Sequence, residues 1–179
     1  MRLFFAYWPS SSKAGEIVPW VHSAHALYGG RMMRTDTLHM TLAFLGEADA
    51  AAIARLVDAC ANWSLPAGAM VLRQPGCFAR AKVVWLGPEV SADGSLGWLY
   101  QANERLWAYL APLGWQPRES AFRPHVSLLR NAAPANLDAL QGPDIAWAPE
   151  RCVLVGSQPT EAGSRYTVLA EVALEPSAL

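Results

Sequence analysis

Two short segments of the sequence repeat each other, and this repeat constrains the fold more than any other feature. The segment 39–42 (HMTL) is followed 86 residues later by the segment 125–128 (HVSL), so both read His-x-Ser/Thr-Leu. The chain holds four histidines, and at average residue usage one histidine begins this pattern roughly once in a hundred times. Chance is a poor explanation for two occurrences, so any fold for this chain has to accommodate two similar motifs.

Both motifs lie in segments whose pattern predicts β-strands. Residues 37–45 (TLHMTLAFL) alternate between more polar and apolar positions, and residues 122–129 (FRPHVSLL) place polar groups on one face. In the first segment the alternation puts Leu38, Met40, Leu42 and Phe44 or Leu45 on one side, and Thr37, His39, Thr41 and Ala43 on the other. Residues i and i+2 of a strand face the same side, about 7 Å apart. Each motif therefore presents an imidazole beside a hydroxyl.

This combination of side chains is suited to phosphoryl chemistry. If the two strands are neighbours, His39 and His125 can act as an acid–base pair, because one neutral imidazole accepts a proton and one imidazolium donates one. The hydroxyls of Thr41 and Ser127 can donate hydrogen bonds to phosphate oxygens. No metal is needed for such a reaction. The alternative is that both histidines are structural, and we favour it for a single His-x-Thr but not for a duplicated motif.

The remaining pattern predicts an α+β fold with antiparallel or mixed sheets. Apolar spacing, caps and Gly/Pro breaks predict strands at residues 2–8, 70–72, 82–86, 151–155 and 166–174, with the second and third forming a hairpin-like pair and the last two joined by a turn around Gly163. They predict helices at residues 16–28, 49–63 and 96–110, and a short helix at residues 134–140.

Charge and composition exclude several classes of function. The formal net charge is −1, whereas a protein that holds nucleic acid along its phosphates is usually basic. An RNA substrate would therefore be bound at one localised site, such as an end of the chain. The apolar run after Met1 is short and stops at Pro9, and no apolar stretch approaches the length of a membrane span. We expect a cytoplasmic protein whose three cysteines are reduced.

No metal site or cofactor is expected from the sequence. His22 and His25 stand three residues apart on a predicted helix, a spacing that can bind zinc, but no third ligand of suitable spacing is nearby. The glycine-rich G-x-x-x-x-G-K-[ST] loop that would suggest ATP or GTP binding does not occur.

The sequence resembles the bacterial RNA 2′,3′-cyclic phosphodiesterases (2′-5′ RNA ligase-like proteins) of the two-histidine (2H) phosphoesterase superfamily. The segments that carry the resemblance are RLFFA at 2–6, LHMTLAFLGE at 38–47, KVVWLG at 82–87, FRPHVSLLR at 122–130 and RYTVL at 165–169. The resemblance implies a single domain over residues 1–179, with two pseudo-symmetric α+β lobes, helices packed outside, and a central cleft. The chain differs from many members of this family at Ser127, where those members commonly have threonine.

The resemblance also implies an activity and its residues. It implies hydrolysis of the 2′,3′-cyclic phosphate end of RNA to a 2′-phosphate, with His125 as the base and His39 as the acid. The older family name implies a reverse reaction that forms a 2′-5′ linkage. Two alternatives stay open: a phosphodiesterase acting on small nucleotide cyclic phosphates, and a non-catalytic RNA-end binder. We expect a monomer without a membrane partner.

Other residues are weaker candidates for the site. Arg130 closes the second motif and could bind phosphate, while Arg123 and Arg80 are less favoured. Phe78, in the loop between two predicted strands, is a candidate for stacking on a base. Three further aromatics are also considered: Phe44 and Trp85 are expected in the core, and Tyr166 either holds a phosphate or caps a strand.

Overall fold

The computed structural model describes residues 1–118 and 121–176 and contains ten strands and three α-helices in those ranges. The strands are β1 (Arg2–Tyr7), β2 (Arg31–Met32), β3 (Met40–Glu47), β4 (Ser64–Ala67), β5 (Met70–Phe78), β6 (Val83–Pro88), β7 (Val126–Arg130), β8 (Ile145–Trp147), β9 (Cys152–Thr160) and β10 (Gly163–Pro176). The helices are α1 (Ser11–Tyr28), α2 (Ala50–Cys60) and α3 (Gly97–Leu110).

The strands form one sheet in two halves that meet at the histidine motifs. The spatial order is β4-β10-β9-β1-β3-β7-β6-β5-β8, and β2 adds to β7. All of these pairings are antiparallel except β4 with β10. The halves join where Met40 of β3 lies opposite Val126 of β7. The α+β class, with a mostly antiparallel sheet, is therefore confirmed.

All three helices contribute to one hydrophobic core on the same face of the sheet. Ile17 of α1, Leu56 of α2 and Leu99 of α3 are buried there together with alternate residues of the strands, including Met40 and Val126. Helices α1 and α2 begin at capping side chains, those of Ser10 and Asp49, whereas α3 begins without a side-chain cap. The Ser10 side chain accepts a hydrogen bond from the Lys13 amide at 3.1 Å, and this type of contact satisfies one of the free N–H groups of the first turn.

The opposite face of the sheet carries a smaller apolar cluster. Phe4 and Ala6 of β1 pack there with Val153 and Val155 of β9, and Trp8 and Tyr166 lie at its margin. Strand β1 is thus buried on both faces, since Leu3, Phe5 and Tyr7 point into the main core. This second cluster lies on the face of the histidine motifs.

Most predicted elements are confirmed, and the errors have local causes. The β5–β6 pair and the β9–β10 hairpin are present as predicted. The short helix predicted at residues 134–140 is wrong. The Asn136 side chain accepts from the Asp138 amide at 3.3 Å, and a turn follows, because short polar side chains compete with helical hydrogen bonding. No helix within residues 1–118 and 121–176 has the length and apolar character needed to cross a membrane.

Three strands were not predicted at all. Strands β2 and β8 have two and three residues, too few to show a period. Strand β4 contains Pro66, and a proline argues against a strand because it lacks the N–H of the ladder. Strand β4 is an edge strand beside β10, and a missing N–H is tolerated on an edge strand.

Candidate active site

The two histidines lie where the two halves of the sheet meet. Met40 and Val126 are fully buried in the main core, so the residues on either side of each point to the opposite, more open face. His39, Thr41, His125 and Ser127 are all half-buried. Continuing the antiparallel register by one residue in each direction sets His39 across from Ser127, and Thr41 across from His125. Each histidine therefore has one hydroxyl residue beside it on its own strand and another opposite it on the facing strand.

Both imidazoles are held by the same backbone contact. The Nδ1 of His39 lies 2.6 Å from the carbonyl oxygen of Thr37, and the Nδ1 of His125 lies 2.8 Å from the carbonyl oxygen of Arg123. A carbonyl oxygen only accepts, so each Nδ1 carries the hydrogen and donates it. This fixes the tautomer and leaves Nε2 of each neutral ring with a free lone pair. Each ring can thus exchange a proton at Nε2 without losing its anchor.

The repeat extends to an irregularity in the backbone of both strands. In β3, Thr41 and Ala43 pair with consecutive residues of β1, so Leu42 is an extra, bulged residue. In β7, Ser127 and Leu129 pair with consecutive residues of β6, so Leu128 is bulged in the same way. A bulge shifts the alternation of side chains by one position.

The bulges decide where the residues after each motif point. Strict alternation from His125 would direct Arg130 into the core. With the bulge at Leu128, Arg130 returns to the histidine face, where its positive charge acts on both imidazoles. The equivalent residue of β3 is Phe44, which is predicted from the sequence to lie in the core. That prediction is wrong, because Phe44 is 39% exposed and its ring lies under the Arg118 guanidinium, 5.0 Å from the ring centroid.

The walls around the two histidines differ. The His39 ring is stacked between Trp8 and Phe4, with centroid distances of 5.0 Å and 4.9 Å and interplanar angles of 5° and 25°. The Tyr166 ring approaches His39 edge-on at 5.6 Å. Three aromatic rings therefore exclude water from this histidine on several sides.

His125 has a different aromatic neighbourhood. Phe78 approaches it nearly perpendicular at 4.9 Å, and Trp85 lies tilted at 5.8 Å. Trp85 is buried, as predicted, but it packs on the histidine face and not in the main core. Two glycines make room for its indole ring. A Cβ on Gly76 would lie 2.0 Å from the ring, and one on Gly87 would lie 3.1 Å from it.

The surroundings lower the pKa of both imidazoles. Burial, the larger cause, lowers the pKa of His39 to about 4, and the positive charges of His125 and Arg130 act in the same direction. Burial also lowers the pKa of His125, with contributions from Arg130 and Arg123. In both cases the backbone carbonyl bound to Nδ1 opposes the shift. Both rings are therefore predominantly neutral at pH 7 when the site is empty of substrate.

Comparison with known proteins identifies the family. Over 173 residues the chain is 31% identical to the RNA 2′,3′-cyclic phosphodiesterase of Escherichia coli (strain K12), and the alignment covers 97% of this chain and 96% of that protein. The LigT-like phosphoesterase profile matches residues 8–85. The chain belongs to the LigT-like phosphoesterase family. A second relative, the RNA 2′,3′-cyclic phosphodiesterase of Aeropyrum pernix, is 29% identical over 120 residues, covering 65% of this chain and 66% of that protein.

Solved structures of other proteins share this fold. The crystal structure of E. coli LigT complexed with 3′-AMP superposes with a TM-score of 0.82 at 31% identity, covering 97% of each chain. A Thermus thermophilus protein superposes with a TM-score of 0.76 at 25% identity, covering 99% of this chain and 100% of the other.

The LigT-like fold brings most of the candidate residues together. The four motif residues and Arg130 share one face at the joint of the sheet. Phe78 also reaches His125. The Arg123 side chain is exposed, although its carbonyl anchors His125. Arg80 is exposed in the turn between β5 and β6.

Sequence reasoning missed two residues of the site, Phe4 and Trp8. Phe4 lies within β1 and Trp8 directly follows it, and both rings stack on His39. The aromatic run of β1 was the only signal, and it could not show which rings face the histidine.

Two other histidines lie outside this site. His22 and His25 are exposed on α1. Among residues 1–118 and 121–176, no group of three or more His, Cys, Asp and Glu side chains is arranged to hold a metal ion.

Proposed function

We propose that this chain hydrolyses the 2′,3′-cyclic phosphate end of RNA to a 2′-phosphate. The observation that carries the proposal is the pair of imidazoles at the joint of the sheet, each anchored through Nδ1 and each with Nε2 free. The two relatives from E. coli and A. pernix, both named RNA 2′,3′-cyclic phosphodiesterase, support the substrate class.

In the proposed reaction one imidazole acts as base and the other as acid. Nε2 of His125 takes a proton from water as the water oxygen forms a bond to phosphorus. The bond between phosphorus and O3′ breaks, and protonated Nε2 of His39 gives its proton to O3′. The products are a 2′-phosphate and a 3′-hydroxyl. His125 ends protonated and His39 neutral, and proton exchange with solvent restores the starting state.

The aromatic walls support the acid role of His39. Burial disfavours its imidazolium in the free enzyme, but the faces of Trp8 and Phe4 attract a cation between them. A bound phosphate anion adds a negative charge close to both rings, and this raises their pKa values. His39 is therefore most readily protonated when substrate is present, when an acid is needed.

The hydroxyls and Arg130 would hold the phosphate. Thr41 and Ser127 stand across from the two imidazoles and can donate to the non-bridging oxygens. The Arg130 guanidinium can donate two parallel hydrogen bonds to the same group. These contacts would align phosphorus with the attacking water and the leaving O3′. Phe78, which is edge-on to His125, would contact the base of the terminal nucleotide.

A phosphodiesterase for small nucleotides is the second candidate. E. coli LigT has been crystallised with 3′-AMP, with ATP and with NADP⁺, which favours a site that accepts single nucleotides. Product analysis distinguishes the candidates. The proposal requires that a short RNA with a cyclic end be converted only to the 2′-phosphate. Conversion of mononucleoside cyclic phosphates with no turnover of RNA supports the second candidate, and tight binding of the RNA without turnover supports a non-catalytic binder.

A further inference from the structure

A polar groove adjoins His39. It consists of two depressions of about 530 Å³ and 230 Å³, which share Arg34, Thr37, Ser164 and Tyr166. One wall is the β9–β10 hairpin and the other is the segment 31–37, so we call it the hairpin groove. Its volume is in the range of sites that bind small ligands.

The groove is positively charged in a chain whose formal net charge is −1. Its lining includes four arginines, Arg31, Arg34, Arg130 and Arg165, and one acidic residue, Asp36. Arg34 is paired with Asp36 at 3.0 Å. Arg31 and Arg165 are exposed and form no ion pair within residues 1–118 and 121–176. Their charges are thus available to an anion, which distinguishes the groove from an ordinary solvated surface.

Aromatic surface lies beside these charges. Trp8 lines the larger depression, and Tyr166 lines both. Their rings are perpendicular, with centroids 6.0 Å apart, so together they form an L-shaped apolar corner. Guanidinium groups next to aromatic rings are the usual features of sites that bind single-stranded nucleic acid, since the cations contact phosphates and the rings contact bases.

The groove is continuous with the catalytic centre. Thr37, which lines both depressions, is the residue whose carbonyl anchors His39. Trp8 and Tyr166 contact the His39 ring directly, and Arg130 lines the smaller depression. A chain whose terminal phosphate lies at the two histidines would therefore enter or leave along this groove.

We propose that the hairpin groove binds the nucleotide that precedes the cyclic-phosphate end, with Arg165 and Arg31 contacting its phosphate and the Trp8–Tyr166 corner contacting its base or sugar. This inference rests on the proposed function and narrows it, because it makes an RNA chain a better substrate than a single nucleotide. The terminal nucleotide itself would lie toward Phe78, on the other side of the histidine pair.

The test compares two substrates that share the same terminal nucleoside. One is a mononucleoside 2′,3′-cyclic phosphate, and the other is the dinucleotide that ends in the same group. We expect kcat/KM to be at least about tenfold higher for the dinucleotide, the factor that corresponds to one added charge-assisted contact of about 1.4 kcal/mol. In Arg165→Gln the loss of kcat/KM on the dinucleotide should exceed the loss on the mononucleotide by about fivefold or more.

A matched control variant separates local from general charge effects. Arg55→Gln removes an exposed arginine from α2, which packs on the core face and not on the histidine face. It should leave both substrates unchanged. Equal kcat/KM for the two substrates in the wild type, or equal losses for both in Arg165→Gln, would overturn the groove assignment.

A binding experiment keeps the inference independent of turnover. A dinucleotide with a 3′-phosphate end should bind more tightly than the matching mononucleotide, and the difference should weaken with salt. Loss of the phosphate contact should reduce both the advantage of the dinucleotide and its dependence on salt, so we expect both changes in Arg165→Gln. If neither cyclic substrate is hydrolysed, the proposed function fails. The groove assignment then stands or falls on whether Arg165→Gln weakens dinucleotide binding.

Discussion

Met40 lies directly opposite Val126 in neighbouring antiparallel strands, and this pair joins the two halves of the sheet. Each residue is preceded by a histidine and followed by a hydroxyl residue. Antiparallel pairing has a local twofold symmetry, so a repeated motif in such a pair automatically places each imidazole beside the hydroxyl of the other strand. The duplicated sequence is thereby converted into one site with two similar halves.

The pH dependence of kcat/KM should reflect both lowered pKa values. The free enzyme needs one neutral and one protonated imidazole, so the profile is bell-shaped with its limbs at the two pKa values. One pKa is about 4, and the other is also lowered from 6.5. We expect kcat/KM to be highest below pH 6.5. Well above the upper pKa, kcat/KM should fall about tenfold for each pH unit. A maximum above pH 7 in steady-state assays would contradict this electrostatic description.

The free energy of unfolding should depend on the protonation of His39. The pKa of His39 is lower in the folded than in the unfolded chain, so between pH 6.5 and about 4 the unfolded chain binds the extra proton and folding weakens as pH falls. At pH 4.5 this amounts to about 2 to 3 kcal/mol. His39→Gln should therefore lose less stability than the wild type between pH 7 and pH 4.5. Urea denaturation at both pH values measures the difference, and parallel losses in the two proteins would refute it.

Trp8 should control the pKa of its neighbour. Its indole covers one face of the His39 ring, and Trp8→Leu would let water reach that face. We expect the pKa of His39 to rise by about one unit toward 6.5, because less desolvation opposes the charged form. An NMR titration of the imidazole signals gives the value. His125, which packs against other rings, serves as the internal control and should not shift.

Gly76 should be required for the position of Trp85. An added Cβ would lie 2.0 Å from the indole ring, so Gly76→Ala should destabilise the fold by about 1–3 kcal/mol and lower activity through the displaced contact with His125. Gly15 in α1 has nothing within 4 Å of its added Cβ, and Gly15→Ala should stabilise by up to about 1 kcal/mol. Thermal unfolding of both variants tests the opposite signs, and equal shifts would count against the packing argument.

The sequence predicted the elements whose period is long and regular. Helices α1, α2 and α3 and the strands with alternating apolar residues were found because burial on one side of a helix or strand leaves a visible pattern. Strands β2 and β8 are too short to leave one. The pairing of β3 with β7 depends on contacts between distant segments, and the repeat suggested it only through the chemistry of its side chains.

The bulges show why parts of the site could not be predicted. One extra residue in β3 turns Phe44 from the core to the surface, and one in β7 turns Arg130 toward the histidines. Alternation alone gives the wrong face for both residues. The aromatic sandwich around His39 likewise arises from the neighbouring strand β1, and the sequence of β3 contains no trace of it.

The most direct test of the two-histidine mechanism is turnover of a short RNA with a 2′,3′-cyclic phosphate end, measured in EDTA. Wild type, His39→Ala and His125→Ala are compared, with Arg55→Gln as the surface control. The wild type and the control should open the ring to a 2′-phosphate at equal rates, and each histidine variant should fall by about a hundredfold or more, the typical loss for a general acid or base. An inert wild type, or histidine variants as fast as the wild type, would contradict the mechanism.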